Sequence, residues 1–420
     1  VRFRLEAAPH PVELRGADGE PIPLGEGFAY NGSIPGPTLR AQVGDLVWVD
    51  IENQLSVPTT VHWHGLSVPQ AADGVPWAMD PIPPGGSLSV QFTVDTPGTA
   101  WYHPHFDSEA QVDLGLYGAF VVEDPAEPPV DVELIAILDD WPDELPAAAP
   151  EDGHAGGEEE THAHGAHGAE GRWTVNGAEA PLAELVDGQR VRARLINASN
   201  AGYVALQEGE VPLLALARDT ARLPAPARLA AEVLGPGDRV DLLWTPAGLD
   251  ATLLDHPWTL EGGAALGDPA PLLRLRSTGG AIAAPAGDWP VGEAAPSPDP
   301  GSTDITYVFQ GSAHTGVWMI NGEVFPEVTI RELPVGEAAV IEVRNVSGTE
   351  HPFHLHGMDV EVLSRDGVPS AVRDVQDTVN LAVYEVVRLR VVPPRAGEWM
   401  AHCHILPHAH GMMTVLRVTP

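Results

Sequence analysis

Three segments of the chain alternate apolar and polar residues with a period of two, and they occupy equivalent places in a repeat. DLVWVDIEN ends at Asn53, QRVRARLIN at Asn197 and EAAVIEVRN at Asn345, each nine residues after a glycine, namely Gly44, Gly188 and Gly336. Alternation over such a length predicts a half-buried β-strand. Upstream of each lies an Asn-Gly dipeptide, Asn31-Gly32, Asn176-Gly177 and Asn321-Gly322, successive copies standing 145 residues apart. Asn-Gly between apolar runs is a tight-turn signal. Turns recurring at 145 residues, with strand ends 144 and 148 residues apart, predict three similar β-domains. Their expected spans are residues 1–125, 130–280 and 300–420. Pro125, Pro128 and Pro129 mark the first junction, and an Ala/Pro/Gly-rich stretch from about Thr278 to Ser302 marks the second. Sustained helical period is scarce, so the expected class is all-β. Within the second domain, after the strand-like VELIAILDDW, residues 142–171 are rich in acids, Gly and Ala and contain His154, His162, His164 and His167. That composition cannot build a core and reads as a mobile loop.

Composition narrows the functions open to such a chain. There are 59 acids against 22 bases, a formal charge of −37, and every base is arginine. Such a surface repels nucleic acid and anionic lipid. No apolar run reaches the ~18 residues of a membrane span, and the opening VRFRLEAAPHPVEL lacks the apolar core of a signal peptide. Either a leader has already been removed, which gives the periplasmic or secreted location expected here, or the chain is cytosolic; the expected state is a monomer. Cys403 is the one cysteine, which excludes an internal disulfide and leaves its thiol for other chemistry.

That chemistry is announced by histidine. Eighteen histidines in 420 residues give ~0.8 His-x-His pairs by chance, yet there are six. Residues i and i+2 of a strand share a face, so such a pair can offer two imidazoles to one metal cluster. Four of the pairs obey the repeat. His62 and His64 lie nine and eleven residues after Asn53, as His354 and His356 do after Asn345. His103 and His105 follow Gly98 by five and seven, as His402 and His404 follow Gly397. The middle domain has Leu206 and Glu208 at the first of these places. The third domain alone adds a second donor set: His351, Cys403 where the first domain has Pro104, His408 and a terminal Met412-Met413 pair. Two His, one Cys and a weak axial Met make a blue-copper site. Spacing from His408 favours Met413 as the axial donor, with Met412 packing inward. Covalent adjacency of Cys403 to His402 and His404 gives an electron arriving at sulfur a short path to the histidines.

On these motifs, which cover nearly the whole chain, the sequence resembles the multicopper oxidases, in particular three-domain bacterial laccase-like members. The resemblance implies three consecutive cupredoxin-like (Greek-key β-sandwich) domains and four coppers. His62 and His354 would hold the type 2 ion. His64, His103 and His404 would hold one type 3 ion, and His105, His356 and His402 the other. His351, Cys403 and His408 would hold the type 1 ion, with Met413 axial. It further implies one-electron oxidation of a small-molecule donor, phenolic, aryl-amine or Cu(I), coupled to four-electron reduction of O2. Asp73 matches an acid that assists proton movement near the type 2 ion, and Asp377, in DTV, also matches a family pattern. Many relatives place Glu directly after the second type 1 histidine, where this chain has Ala409, so protons need another route, with His410 as one candidate. The leading expectation is a laccase-like oxidase. A cuprous oxidase of copper tolerance is the alternative, prompted by the acidic surface and the His154–His167 stretch, and a non-catalytic copper-binding protein is more distant.

Overall fold

The computed structural model describes residues 1–146, 171–257, 268–280, 289 and 294–420. The histidines 154, 162, 164 and 167, and much of the second linker, lie outside the described residues. The architecture is all-β, three cupredoxin-like domains in succession, and named strand ladders stay within each third of the chain. In the first, the alternating strand Leu46–Asn53 runs parallel to Arg2–Arg15, and its burial alternates as the residues do. The equivalents Val191–Asn197 and Ala339–Asn345 run parallel to Val132–Trp141 and Ile305–Ser312.

The repeated asparagines explain why the copies share one shape. Asn31, Asn176 and Asn321 adopt φ of 53°, 53° and 57°, followed by glycines at 72°, 77° and 76°, the left-handed pair that a tight Asn-Gly turn requires. Each side chain also bridges back to a neighbouring strand, accepting from the N–H of Glu6, Ile137 or Val308. At the strand ends, Asn53, Asn197 and Asn345 are buried. Each accepts from the N–H two residues on and donates Nδ2–H to two carbonyls, 2.7–2.9 Å away. A buried amide that satisfies three loop groups pins the chain where it leaves the strand. In the first and third domains that chain leads to the His-x-His segments.

One expectation from alternation fails in the middle domain. Val191–Asn197 is buried at every position, because Arg192 and Arg194, on the face that should meet water, lie against the first domain and share Asp241. Apolar side chains of the first and middle domains, including Trp101 and Tyr117 with Ile137, Trp141 and Ile196, form a continuous core along this seam, joined by Leu406 of the third.

Candidate metal centres

Two antiparallel strand pairs in matching register deliver the histidines. His62–His64 pairs antiparallel with Gly98–His103, setting His62 opposite His103. His351–Leu355 pairs with Gly397–Cys403, setting His354 opposite His402. The two sets meet between the first and third domains. Nε2 of His402 lies 3.0 Å from Nε2 of His356 and 3.4 Å from Nε2 of His105. Ligand atoms of three trios, His62/His354/His356, His62/His64/His103 and His105/His356/His402, fall within 4.8 Å of one another. The rings of His64 and His354 stack at 3.8 Å, and that of His404 stands 4.8 Å from His64 and 5.4 Å from His103.

The outer nitrogens decide which atoms face inward. A carbonyl oxygen only accepts, so a ring nitrogen bonded to one carries the proton. Nδ1–H of His62, His103, His354 and His402 donates to the carbonyls of Asp73, Pro104, Asp377 and Cys403 at 2.8–2.9 Å. Nδ1 of His356 meets Asp73 Oδ2 at 2.9 Å. His64 is reversed: its Nε2 meets Asp377 Oδ1 at 3.1 Å and Thr378 Oγ1 at 3.0 Å. Nε2 of His62, His103 and His354, Nδ1 of His64 and both nitrogens of His404 are buried with no hydrogen-bond partner among the described residues. Buried polar nitrogens are normally satisfied. Several lone pairs aimed at one volume are the donor set of a metal cluster.

Charge state agrees. Burial first, then neighbouring imidazoles, hold His64, His105, His354 and His356 well below the ordinary histidine value. Burial takes His402 down to about 4 and His351 to about 3. Neutral imidazole is the form that binds metal.

The second centre lies on the other face of the same strand. Cys403 is fully buried, its Sγ 3.3 Å from His351 Nδ1 and 3.8 Å from His408 Nδ1, and the two Nδ1 atoms are 3.3 Å apart. Donors bonded to one ion at ~2.0–2.3 Å have separations of this order. Burial pushes the Cys403 thiol up, so a thiolate here requires a cation, and a coordinated metal deprotonates a thiol outright. Ser347 sits 2.7 Å behind His351 Nε2, leaving Nδ1 for the centre. Trp318 stacks on His408 at 3.7 Å.

Register also separates the two methionines. His402 pairs with Met413, so both side chains share one face. The next position sets Met412 opposite Cys403, whose N–H donates to the Met412 carbonyl at 3.1 Å. Met412 is fully buried in the core that contains Cys403, Phe353 and Ile405. Met413 instead packs with Met400, Val415, Ala409 and Val75. Register thus sets Met412, and not the expected Met413, on the Cys403 side of the sheet: counting residues from His408 leaves out that successive strand residues point to opposite faces.

Asp73 and Asp377 both stand directly behind the histidines. Asp73 is fully buried and joins His62 of the first domain to His356 of the third. Its loop depends on Gly74, where φ is +76° and an added Cβ would lie 1.9 Å from the Val61 carbonyl oxygen. Asp377 joins His354 to His64. His410, by contrast, is exposed and pairs with Glu109 at 3.1 Å, and Ala409 lies in an apolar cluster, so neither stands among the histidines. A cavity of about 350 Å³ between the first and third domains reaches His62 and His354, with Asp359, Asp377, Arg373 and Arg390 on its walls. Sequence reading missed Ser347, Thr378, Asp359, Trp318 and Arg239. Only Ser347 had a signal, because Ser199 holds the same offset after Asn197.

Comparison with known proteins agrees with this geometry. A family model described as multicopper oxidase matches residues 21–127, and another of the same description matches 296–420. Multicopper oxidase MmcO of Mycobacterium tuberculosis is 32% identical, over 99% of this chain and 86% of that protein. The crystal structure of a multi-copper oxidase from Pseudomonas thermotolerans superposes with a TM-score of 0.82 at 31% identity, covering 100% of both chains. A Campylobacter jejuni multicopper oxidase described as a metallo-oxidase gives 0.82 at 25% identity, covering 100% of this chain and 91% of that one.

Proposed function

This chain belongs to the multicopper oxidase family, and from that premise we propose a laccase-like enzyme that couples one-electron oxidation of phenolic or aryl-amine donors to four-electron reduction of O2 to water. The observation that carries the reading is the strand end His402-Cys403-His404. It places one thiol in the His351/His408 centre and two imidazoles in the eight-histidine cluster.

Four bound coppers would supply stepwise electron acceptance at one centre and multi-electron delivery to O2 at the other. In this proposal His62 and His354 would hold the type 2 ion, His64, His103 and His404 one type 3 ion, and His105, His356 and His402 the other. His351, Cys403 and His408 would hold the type 1 ion, with Met412 as the thioether on the Cys403 side. Nδ1 of His351 and His408 and Sγ of Cys403 converge in a buried pocket, so the donor set is preorganised. Electrons leave Cys403 through its backbone bonds to His402 and His404. Asp73 Oδ2 keeps His356 in one tautomer while Asp377 keeps His64 in the other. Protons reach the cluster through the cavity at His62 and His354. There Asp359, which desolvation and neighbouring Asp377 push up to about 7, can hold one at its carboxyl near neutrality. That route takes the place of one through residue 409.

Cuprous oxidation is the second reading, favoured by the charge of −37 and by likeness to a protein described as a metallo-oxidase. Parallel rates with Cu(I), a phenol and an aryl amine separate the two. The leading reading is tested by Cys403→Ser, expected to abolish blue absorption and turnover while copper remains in the histidine cluster. Turnover at the wild-type rate with small donors would refute the electron route. No helix among the described residues is long and apolar enough to cross a membrane. We assign the enzyme a periplasmic or secreted location and a monomeric state, testable by fractionation and sedimentation.

A further inference from the structure

The middle domain supplies none of the proposed copper ligands, yet one of its arginines reaches the outer side of the cluster. Arg239 begins the strand Arg239–Trp244 and is 1% exposed. Its guanidinium donates to both carboxylate oxygens of Asp377, to Oδ1 at 2.7 Å and also to Oδ2. Remaining donors go to the carbonyls of Thr99 and Gly237, each at 2.9 Å, with Asp219 Oδ1 at 3.2 Å. Asp219, also from the middle domain, accepts from the N–H groups of Asp377 and Thr378 at 2.9 and 3.1 Å. Both the backbone and the carboxylate of Asp377 are thus held from outside their own domain. The bracket has no slack: at Gly65, next to His64, an added Cβ would lie 2.5 Å from the Arg239 guanidinium.

What the bracket holds is the oxygen that faces His64. Asp377 Oδ1 lies 3.1 Å from His64 Nε2, with Thr378 Oγ1 at 3.0 Å, and His64 Nδ1 is the buried nitrogen without a partner. Of the rings whose outer nitrogen is anchored in this cluster, only His64 is anchored through Nε2. A carboxylate free to rotate would accept a proton from either face of the pocket and would not define that tautomer.

We propose that Arg239 is a positioning residue of the oxygen-reducing cluster. By forking onto Asp377 it fixes the acceptor for His64 Nε2–H, and so turns His64 Nδ1 toward the metal. The proposal rests on the reading of the eight histidines as a copper cluster. The bland account is that Arg239 only neutralises Asp219 and Asp377. The two accounts part at lysine, which carries the same charge but cannot fork onto both oxygens of a carboxylate.

The decisive experiment uses the full-length copper-loaded protein with Arg239→Lys, and Arg239→Gln beside it. Copper retained per chain is followed against a competing chelator, with blue absorption reporting the Cys403 centre separately. Arg239→Lys is expected to keep wild-type blue absorption and to release cluster copper about 10- to 100-fold more readily, the usual effect of removing a group that orients a ligand. Nitrogen-15 resonances of copper-free Arg239→Lys are expected to show His64 as a mixture of tautomers, against Nε2–H alone in the wild type. Wild-type copper retention together with a single His64 tautomer in Arg239→Lys would overturn the proposal, whether or not Arg239→Gln folds. A wild-type protein that itself holds only the copper at Cys403 would instead overturn the family-based reading, so the two failures are distinct.

Discussion

Replacing each of the adjacent methionines by leucine separates two roles that their one-residue spacing conceals. Met412 lies opposite Cys403 and is fully buried in its core, whereas Met413 lies opposite His402 and is 9% exposed among apolar side chains. Methionine and leucine are close in volume, so each substitution should cost less than about 1.5 kcal/mol and leave a folded protein. The electronic consequences differ. Met412→Leu removes a weak thioether donor from the side of Cys403, and an axial donor tunes the potential of such a centre. We expect the potential of the Cys403 centre to rise by at least ~59 mV, one decade in a one-electron equilibrium. Met413→Leu should leave both potential and blue absorption at their wild-type values and change only the melting temperature. Redox titration of the blue band in the two variants provides the assay. A shift in Met413→Leu with none in Met412→Leu would refute the register argument and restore Met413 as the axial residue.

Two further predictions concern the seam between the first and middle domains. Asp241 is fully buried and accepts from Arg192, Arg194 and Thr99. Asp241→Asn leaves two buried guanidinium groups short of a counter-charge and should destabilise by about 3–5 kcal/mol. The Glu127 and Glu133 contacts that remain favour the lower end. An unchanged urea midpoint would show that the network contributes nothing net. Nearby, burial pushes Asp140 up to about 7, and Asp113 and Asp139 rise as well. A carboxyl raised in the folded state contributes stability that is complete below its unfolded value of ~3.9 and is lost as pH rises through about 7. Asp140→Asn should therefore be more stable than wild type at pH 8 and lose less stability between pH 4 and 8. A pH profile parallel to that of the wild type would contradict this assignment.

What could be read from the chain was whatever repeats or alternates locally. The asparagine turns, the three alternating strands and the four matched His-x-His pairs each depend on short-range spacing, and the folded chain uses the pairs in the same register in the first and third domains. What could not be read depends on contacts across hundreds of residues. Asp73 meets His356 283 positions away, and Arg239 meets Asp377 138 positions away. Arg192 and Arg194 look like a solvated strand face until a neighbouring domain covers them. Their alternation was legible, but the carboxylate that makes burial tolerable, Asp241, lies on the adjoining strand. The Met412–Met413 choice is of a different kind. Its answer was local, but it lay in parity along a strand and not in distance from a ligand.

The same parity explains how one strand end serves two centres. In a His-x-His segment the middle residue faces away from its neighbours, so any side chain at that position enters the core on the far side of the sheet. The first domain places Pro104 there, and its pair contributes only to the cluster. The third domain places Cys403 there, and the far side already holds His351, anchored by Ser347, and His408, packed under Trp318. On the proposed assignment the two centres sit on opposite faces of a single sheet, joined by the few covalent bonds between Cys403 and the histidines beside it. A residue inserted between Cys403 and His404 would break this arrangement even with every ligand retained, because it would lengthen the covalent path from Cys403 and displace His404 from the cluster.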